Sequence, residues 1–196
     1  VYARMDGSFA SELFIVPTDG SAAPKNITRY ATYNSDVSWS KTGNKIGFIG
    51  QRRSLYAPYV LNLQKPGTPG AAGEIDWDDI HLRADRAAGM SADAVAISPN
   101  GSQIAFRHSN NGDDLWVANS NGSSVTRVTT SGQAPKYMRW ARKSSGMIYF
   151  LNGTGELRAV RAPGTFGSLI GGPAPEPLRI NFQAKMTVKR DEEFSE

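Results

Sequence analysis

The sequence predicts an all-β chain: a partial β-propeller of three four-stranded blades plus the tail of a fourth, running into the start of a short C-terminal helix. Three observations predict it. A hairpin unit is written three times, at 36–48, 94–106 and 137–150. Each copy is a short apolar strand, a polar turn holding a glycine, and a second apolar strand, so Trp39, Ile97 and Trp140 share one place in the repeat and Phe48, Phe106 and Phe150 another. The second and third copies stand 43 residues apart, Ile97 to Trp140, close to the ~40–45 residues of a four-stranded blade. Finally, Asn100-Gly101, Asn111-Gly112, Asn121-Gly122 and Asn152-Gly153 punctuate the chain, and Asn-Gly is a strong hairpin signal because both residues tolerate positive φ.

In chain order, 12–16 (Glu-Leu-Phe-Ile-Val) reads as a strand of a blade that begins before residue 1. The first hairpin gives strands at 36–40 and 45–50, and a third strand follows at 57–63. The stretch 64–79 is rich in Pro, Gly and Ala and reads as an insertion. It accounts for the wider spacing between the first and second copies. Strands at 94–98 and 103–108 form the second hairpin, followed by 114–118 and 125–129. Strands at 137–140 and 147–151 form the third, followed by 156–160. Thr28 and Thr129 each stand 11 positions before the tryptophan of the next copy, which extends the repeat beyond its hairpin. The domain reading is a propeller part over 1–182, with a blade fragment at 1–26 and blades at about 27–73, 74–124 and 125–182. Residues 183–196 read as a linker or helix start toward a further domain.

Composition narrows the function classes. The 196 residues carry 22 basic and 18 acidic side chains, a net charge of +4. The charges are interspersed, which argues against nucleic acid as a partner. No apolar run approaches ~18 residues, so no helical membrane span is expected. There is no cysteine, which excludes disulfides and thiolate metal sites and fits an export-competent bacterial protein, so a periplasmic or other extracytoplasmic setting is expected over a cytoplasmic one.

The strings Trp39-Ser40-Lys41-Thr42-Gly43 with Ile46 and Phe48, and Ile97-Ser98-Pro99-Asn100-Gly101-Ser102-Gln103-Ile104-Ala105-Phe106, resemble the repeats of TolB-like propellers. The same repeats occur in tricorn-type proteases and in the prolyl oligopeptidase group. Two segments resemble the tricorn branch. One is 74–84, similar to a strand that opens a blade there. The other is 182–196, similar to the exit from the last blade into the helix before the protease half. Lys41-Thr42 and Arg142-Lys143 depart from the Pro-Asp usual in that turn. The resemblance implies a non-catalytic propeller that guides or gates unfolded peptide toward a PDZ and serine-protease core. The partners implied are the remainder of the propeller and that core, in the same polypeptide or a companion chain. The catalytic residues of that family fall outside the matching segments. The alternative is a stand-alone TolB-like binding propeller of the cell envelope.

His81 and His108 are the two histidines, and neither adjoins a Gly-x-Ser-x-Gly elbow. Asp76, Asp78 and Asp79 lack the spacing of a calcium loop; Asp76 is expected to bond turn backbone, with Asp78 and Asp79 solvated. Asp113-Asp114 reads as a loop capping the next strand. Gly70–Gly73 and 171–175 lack the Lys-Ser/Thr of a phosphate loop and read as blade connections. Trp39, Trp140 and the three repeat phenylalanines are expected to pack between blades. No catalytic, cofactor-binding or metal-ligating residue is assigned, and no cofactor is expected. An arc of three blades leaves both end faces open, so a partner surface is expected at 1–16 and at 178–196.

Overall fold

The structure, a computed structural model, describes residues 1–67, 73–108, 113–143, 146–164 and 176–182. These residues form four antiparallel sheets arranged in succession, as in part of a propeller. The first sheet holds β1 (Tyr2–Met5), β2 (Ser11–Ile15) and β3 (Lys25–Asn26). The second holds β4 (Asn34–Trp39), β5 (Lys45–Arg52), β6 (Leu55–Asn62) and β7 (Ala84–Arg86). The third holds β8 (Ala94–Ile97), β9 (Gln103–His108), β10 (Asp114–Asn119) and β11 (Thr126–Arg127). The fourth holds β12 (Lys136–Trp140), β13 (Met147–Leu151), β14 (Leu157–Arg161) and β15 (Leu178–Arg179). Strands follow one another in chain order within every sheet. The first strands β4, β8 and β12 pack against one another along the inner side.

Each sheet buries its apolar face against the next, giving three successive cores. Leu13, Ile15 and Ile27 of the first sheet meet Ile46, Phe48 and Leu61 of the second. Ile49 and Val60 meet Val95, Ile97, Ile104 and Phe106. Leu115 and Val117 meet Met138, Ile148, Phe150 and Val160. Phe48, Phe106 and Phe150 are 0, 0 and 1% exposed, so this repeated position is core in all three copies. The sheets approach closely at Gly47, where a side chain would meet Ile104 Cδ1 at 3.0 Å and Ile97 Cβ at 3.3 Å.

Hydrogen bonds also tie the sheets. Ser11 Oγ donates to Asn34 O at 2.8 Å while Asn34 Nδ2 donates to Ser11 O at 2.7 Å, with Asn34 fully buried. Lys45 Nζ donates to Ser120 Oγ at 2.8 Å, joining the second and third sheets. The Lys45 stem lies over Gly101, whose φ of 72° and lack of a side chain leave it room.

The hairpin strands lie where the repeat predicts them. The differences are at the outer strands. Residues 80–83 form a 3₁₀ turn, Ile80–Arg83, so the expected blade-opening strand at 74–84 is not one. The strand after it, β7, pairs with β6 and closes the second sheet. Residues 74–86 therefore complete one sheet instead of opening the next. Arg83 enforces this path, donating to the carbonyls of Asn62 at 3.0 Å and Asp78 at 2.6 Å, and to that of Asp76. The first sheet also has three strands, with β1 unforeseen because Tyr2-Ala3-Arg4-Met5 shows no burial alternation. The expected helix start at 183–196, the 171–175 connection and Asn111-Gly112 lie outside the described residues.

Candidate functional site at the inner strand ends

The C-terminal ends of β4, β8 and β12 enclose an open cavity of about 370 Å³. It is lined by corresponding repeat positions: Trp39 and Lys41 from the first copy, Ile97 and Pro99 from the second, Trp140 and Arg142 from the third, with Ser38, Ala96 and Arg139 between them. Local backbone distortion prepares two of the three strands. β4 shifts register between Ser35 and Ser38, and β12 between Lys136 and Arg139. Asp36 and Tyr137, each three residues before the tryptophan, adopt φ values of 47° and 53°. Such non-glycine residues cost on the order of 1–3 kcal/mol and concentrate at functional sites, and bulges re-aim neighbouring side chains. β8, which contributes the apolar floor, pairs in regular register.

The walls are fixed by bonds across the blades. Ile97 N donates to Ser38 Oγ at 3.0 Å, and Val95 N donates to the Asp36 carboxylate. These bonds occupy amides on the inner strand β8 that its own sheet leaves free. Trp140 Nε1 donates to Ala96 O at 2.8 Å, holding its indole against the third sheet. Trp39 is 38% exposed. Its place corresponds to that of Trp140, but the first sheet before it has no inner strand among the described residues. The expectation that both tryptophans pack between blades thus holds for Trp140 and is corrected for Trp39.

The opposite ends of β4 and β8 differ in chemistry. There Tyr33, Ser35, Tyr56, Ser91 and Asp93 line a second cleft of about 350 Å³. Asp93 is held by a bidentate pair with Arg107, both bonds 2.7 Å. Burial pushes Asp36 above the usual carboxylate range, although the Val95 amide, Arg139 and Arg107 pull it down. Arg52 stacks over Tyr30 at 3.9 Å and lies 5.0 Å from Tyr59.

The repeat carries one further constellation that sequence reasoning missed. Thr129 Oγ1 accepts from Leu115 N at 2.9 Å and donates to Asp114 at 2.6 Å, and Asp114 pairs with Arg127. Thr28 makes the same two bonds, to Leu13 N at 3.0 Å and to Glu12. In the fourth sheet Glu156 pairs with Arg179 at 3.1 Å, at the register places of Asp114 and Arg127. These clasps fasten the outermost strand of a blade. Burial alone would raise Asp114, but Arg127, Thr129 and the Gln133 amide hold it below the usual carboxylate range. Asp114 is thus the buried first residue of β10, not part of a loop cap. The 11-residue offset of Thr28 and Thr129 was the available signal.

The remaining candidates fall apart in space. His81 lies in the 3₁₀ turn. His108 ends β9, with Nδ1 2.7 Å from Ser91 O and its ring edge-on to Trp116. Asp76 accepts from Asp78 N at 3.1 Å, as a turn residue does. Asp76 and Asp78 also pair with Lys65 at 3.3 and 3.4 Å, and Asp79 is exposed.

No family model matches the chain, and no curated protein matches it either. Solved structures do. A TolB structure from Agrobacterium tumefaciens aligns with a TM-score of 0.61 at 18% identity, over 80% of this chain and 54% of that one. The crystal structure of the tricorn protease aligns with a TM-score of 0.52 at 13% identity, over 79% of this chain and 18% of that one. The chain therefore spans about half the length of the TolB structure and less than a fifth of the tricorn protease. At these identities the shared property is the fold: a partial β-propeller of the kind seen in TolB and the tricorn protease.

Proposed function

We propose that this chain is the non-catalytic propeller segment of a tricorn-like serine protease, and that its inner mouth receives extended polypeptide and guides it toward a peptidase core. The observation that carries this reading is the cavity at the ends of β4, β8 and β12. Its volume lies at the lower end of the roughly 300–1,000 Å³ of ligand pockets, room for a few side chains of an extended segment and too little for a folded domain. Its walls are indole and cation and its floor is aliphatic, a mixture suited to polypeptide. The repeat strings and the sequence of 182–196, similar to the exit from the last blade in that family, support the tricorn-like setting. In a TolB-like binding propeller the same mouth would grip a segment of a partner protein.

The test uses the full-length protein that carries this chain, assayed on an unfolded polypeptide and on a short fluorogenic peptide. Substitution at the mouth, Arg139→Ser with Arg142→Ser, is expected to slow turnover of the long substrate and leave the short one unaffected. Tight polypeptide binding with no hydrolysis of either substrate would contradict the protease setting and favour the binding propeller.

A further inference from the structure

We infer that the mouth selects extended segments whose acidic side chains stand beside an apolar or aromatic one; this deepens the polypeptide-receiving reading and rests on it. The inference starts from the repeat. Two residues beyond the position shared by Trp39, Ile97 and Trp140 stand Lys41, Pro99 and Arg142 respectively. The two copies that depart from proline therefore place cations on the cavity wall, and the copy that keeps it supplies the floor. Arg139 adds a third cation. Among the described residues, no carboxylate lines this cavity.

Among the described residues, Lys41 and Arg142 are exposed and make no hydrogen bond or ion pair, and Arg139 Nη1 is bonded to Met138 O at 2.9 Å. Elsewhere on the inner side the charges are already matched: Asp93 by Arg107, and Asp36 by an amide of β8. Arg139 acts on the Asp36 carboxyl, while Lys41 and Arg142 are left without a counter-charge among the described residues. A concave site lined by one sign of charge focuses its field and attracts the opposite sign. The second requirement comes from the floor. Ala96 and Ile97 are buried, and Trp140 is fixed by its bond to Ala96 O. In a polyproline II segment, with three residues per turn, an apolar side chain set between two carboxylates meets that floor while the carboxylates meet Lys41, Arg139 and Arg142.

The test is fluorescence anisotropy on the full-length protein with labelled ten-residue peptides, acetylated and amidated so that only side chains carry charge. One peptide alternates Glu with Leu, and its isostere alternates Gln with Leu. The acidic peptide is expected to bind roughly tenfold more tightly, the combined effect of two or three exposed ion pairs. That preference is expected to vanish in 0.5 M salt, and in Lys41→Ser with Arg142→Ser, whose thermal midpoint should match the parent. Equal binding of the two peptides overturns charge selection but leaves the receiving mouth intact. Binding of neither overturns both readings. A preference that survives the double substitution, or that requires a free terminal carboxylate, overturns the assignment to these side chains. Tighter binding of a single-stranded oligonucleotide of equal charge overturns the choice of polypeptide.

Discussion

Two positions of the same repeat have opposite fates. Phe48, Phe106 and Phe150 are buried alike in three successive cores. Trp39, Ile97 and Trp140 differ from copy to copy: exposed, buried, and half-buried with a bond to the neighbouring blade. The phenylalanine meets a neighbouring sheet that is always present, so one side chain suits every copy. The tryptophan position faces the inner mouth, where the neighbour changes. A repeat therefore separates scaffold from surface: positions that agree in burial hold the blades together, and positions that diverge shape the cavity.

The largest expected effect is at the core position. Phe106→Ala should destabilise by about 3–5 kcal/mol, through lost transfer energy and the cavity left between the second and third sheets. Denaturant midpoints of the three phenylalanine variants check this, and a loss at Phe106 under 1 kcal/mol would break the comparison.

Next come the clasps. Thr129→Val leaves the Leu115 amide and the Asp114 carboxylate each short of a partner, a cost of about 1–3 kcal/mol. Thr28→Val should act in the same direction in the first sheet, where Leu13 N loses its acceptor. Hydrogen exchange should rise at Leu115 and Leu13 in the respective variants; unaltered protection would show that the hydroxyls do not hold these strands.

The two inner and outer aspartates should titrate in opposite senses. Asp114 is held below its ordinary value of 3.8, so the fold favours its charged form. Its stabilisation is present above that pH and is lost as pH falls through the lower folded value. Asp36 is raised above 3.8 by burial, so its contribution is present below that pH and is lost as pH rises through the folded value. Asp114→Asn should flatten the acid limb of the stability profile. Asp36→Asn should flatten the limb just above it, by less, because the residue as a whole remains open to solvent. Identical profiles for both variants would contradict the assignment.

The smallest effect on stability is expected at Trp39→Ala, within about 0.5 kcal/mol as for other exposed sites. Trp140→Ala should cost more, since it removes a bond to Ala96 O. Equal losses at the two positions would show that a strand lies along β1 and covers Trp39 in the whole protein.

The hairpins were legible in the sequence because a repeated apolar alternation, a fixed phenylalanine and a glycine turn all point to the same strands. The outer strands were not, except β11, which falls inside the strand expected at 125–129. β3 and β15 contribute two paired residues each and β7 three, too few for any period to show. Their positions come from side chains distant in sequence, such as Glu156 with Arg179 and Arg83 with the carbonyls around it. The mouth was half legible. Lys41 and Arg142 stood out as departures from the turn pattern, but only the structure sets them around one cavity with Arg139 and Trp140.

The most direct test of the account measures polypeptide affinity and unfolding midpoint in the same samples of the full-length protein, for Lys41→Ser with Arg142→Ser and for Phe106→Leu. The account predicts that the mouth variant loses affinity roughly tenfold at an unchanged midpoint, and that Phe106→Leu lowers the midpoint while the folded fraction binds as before. An unchanged affinity in the mouth variant, or a loss that follows a fallen midpoint, would contradict it.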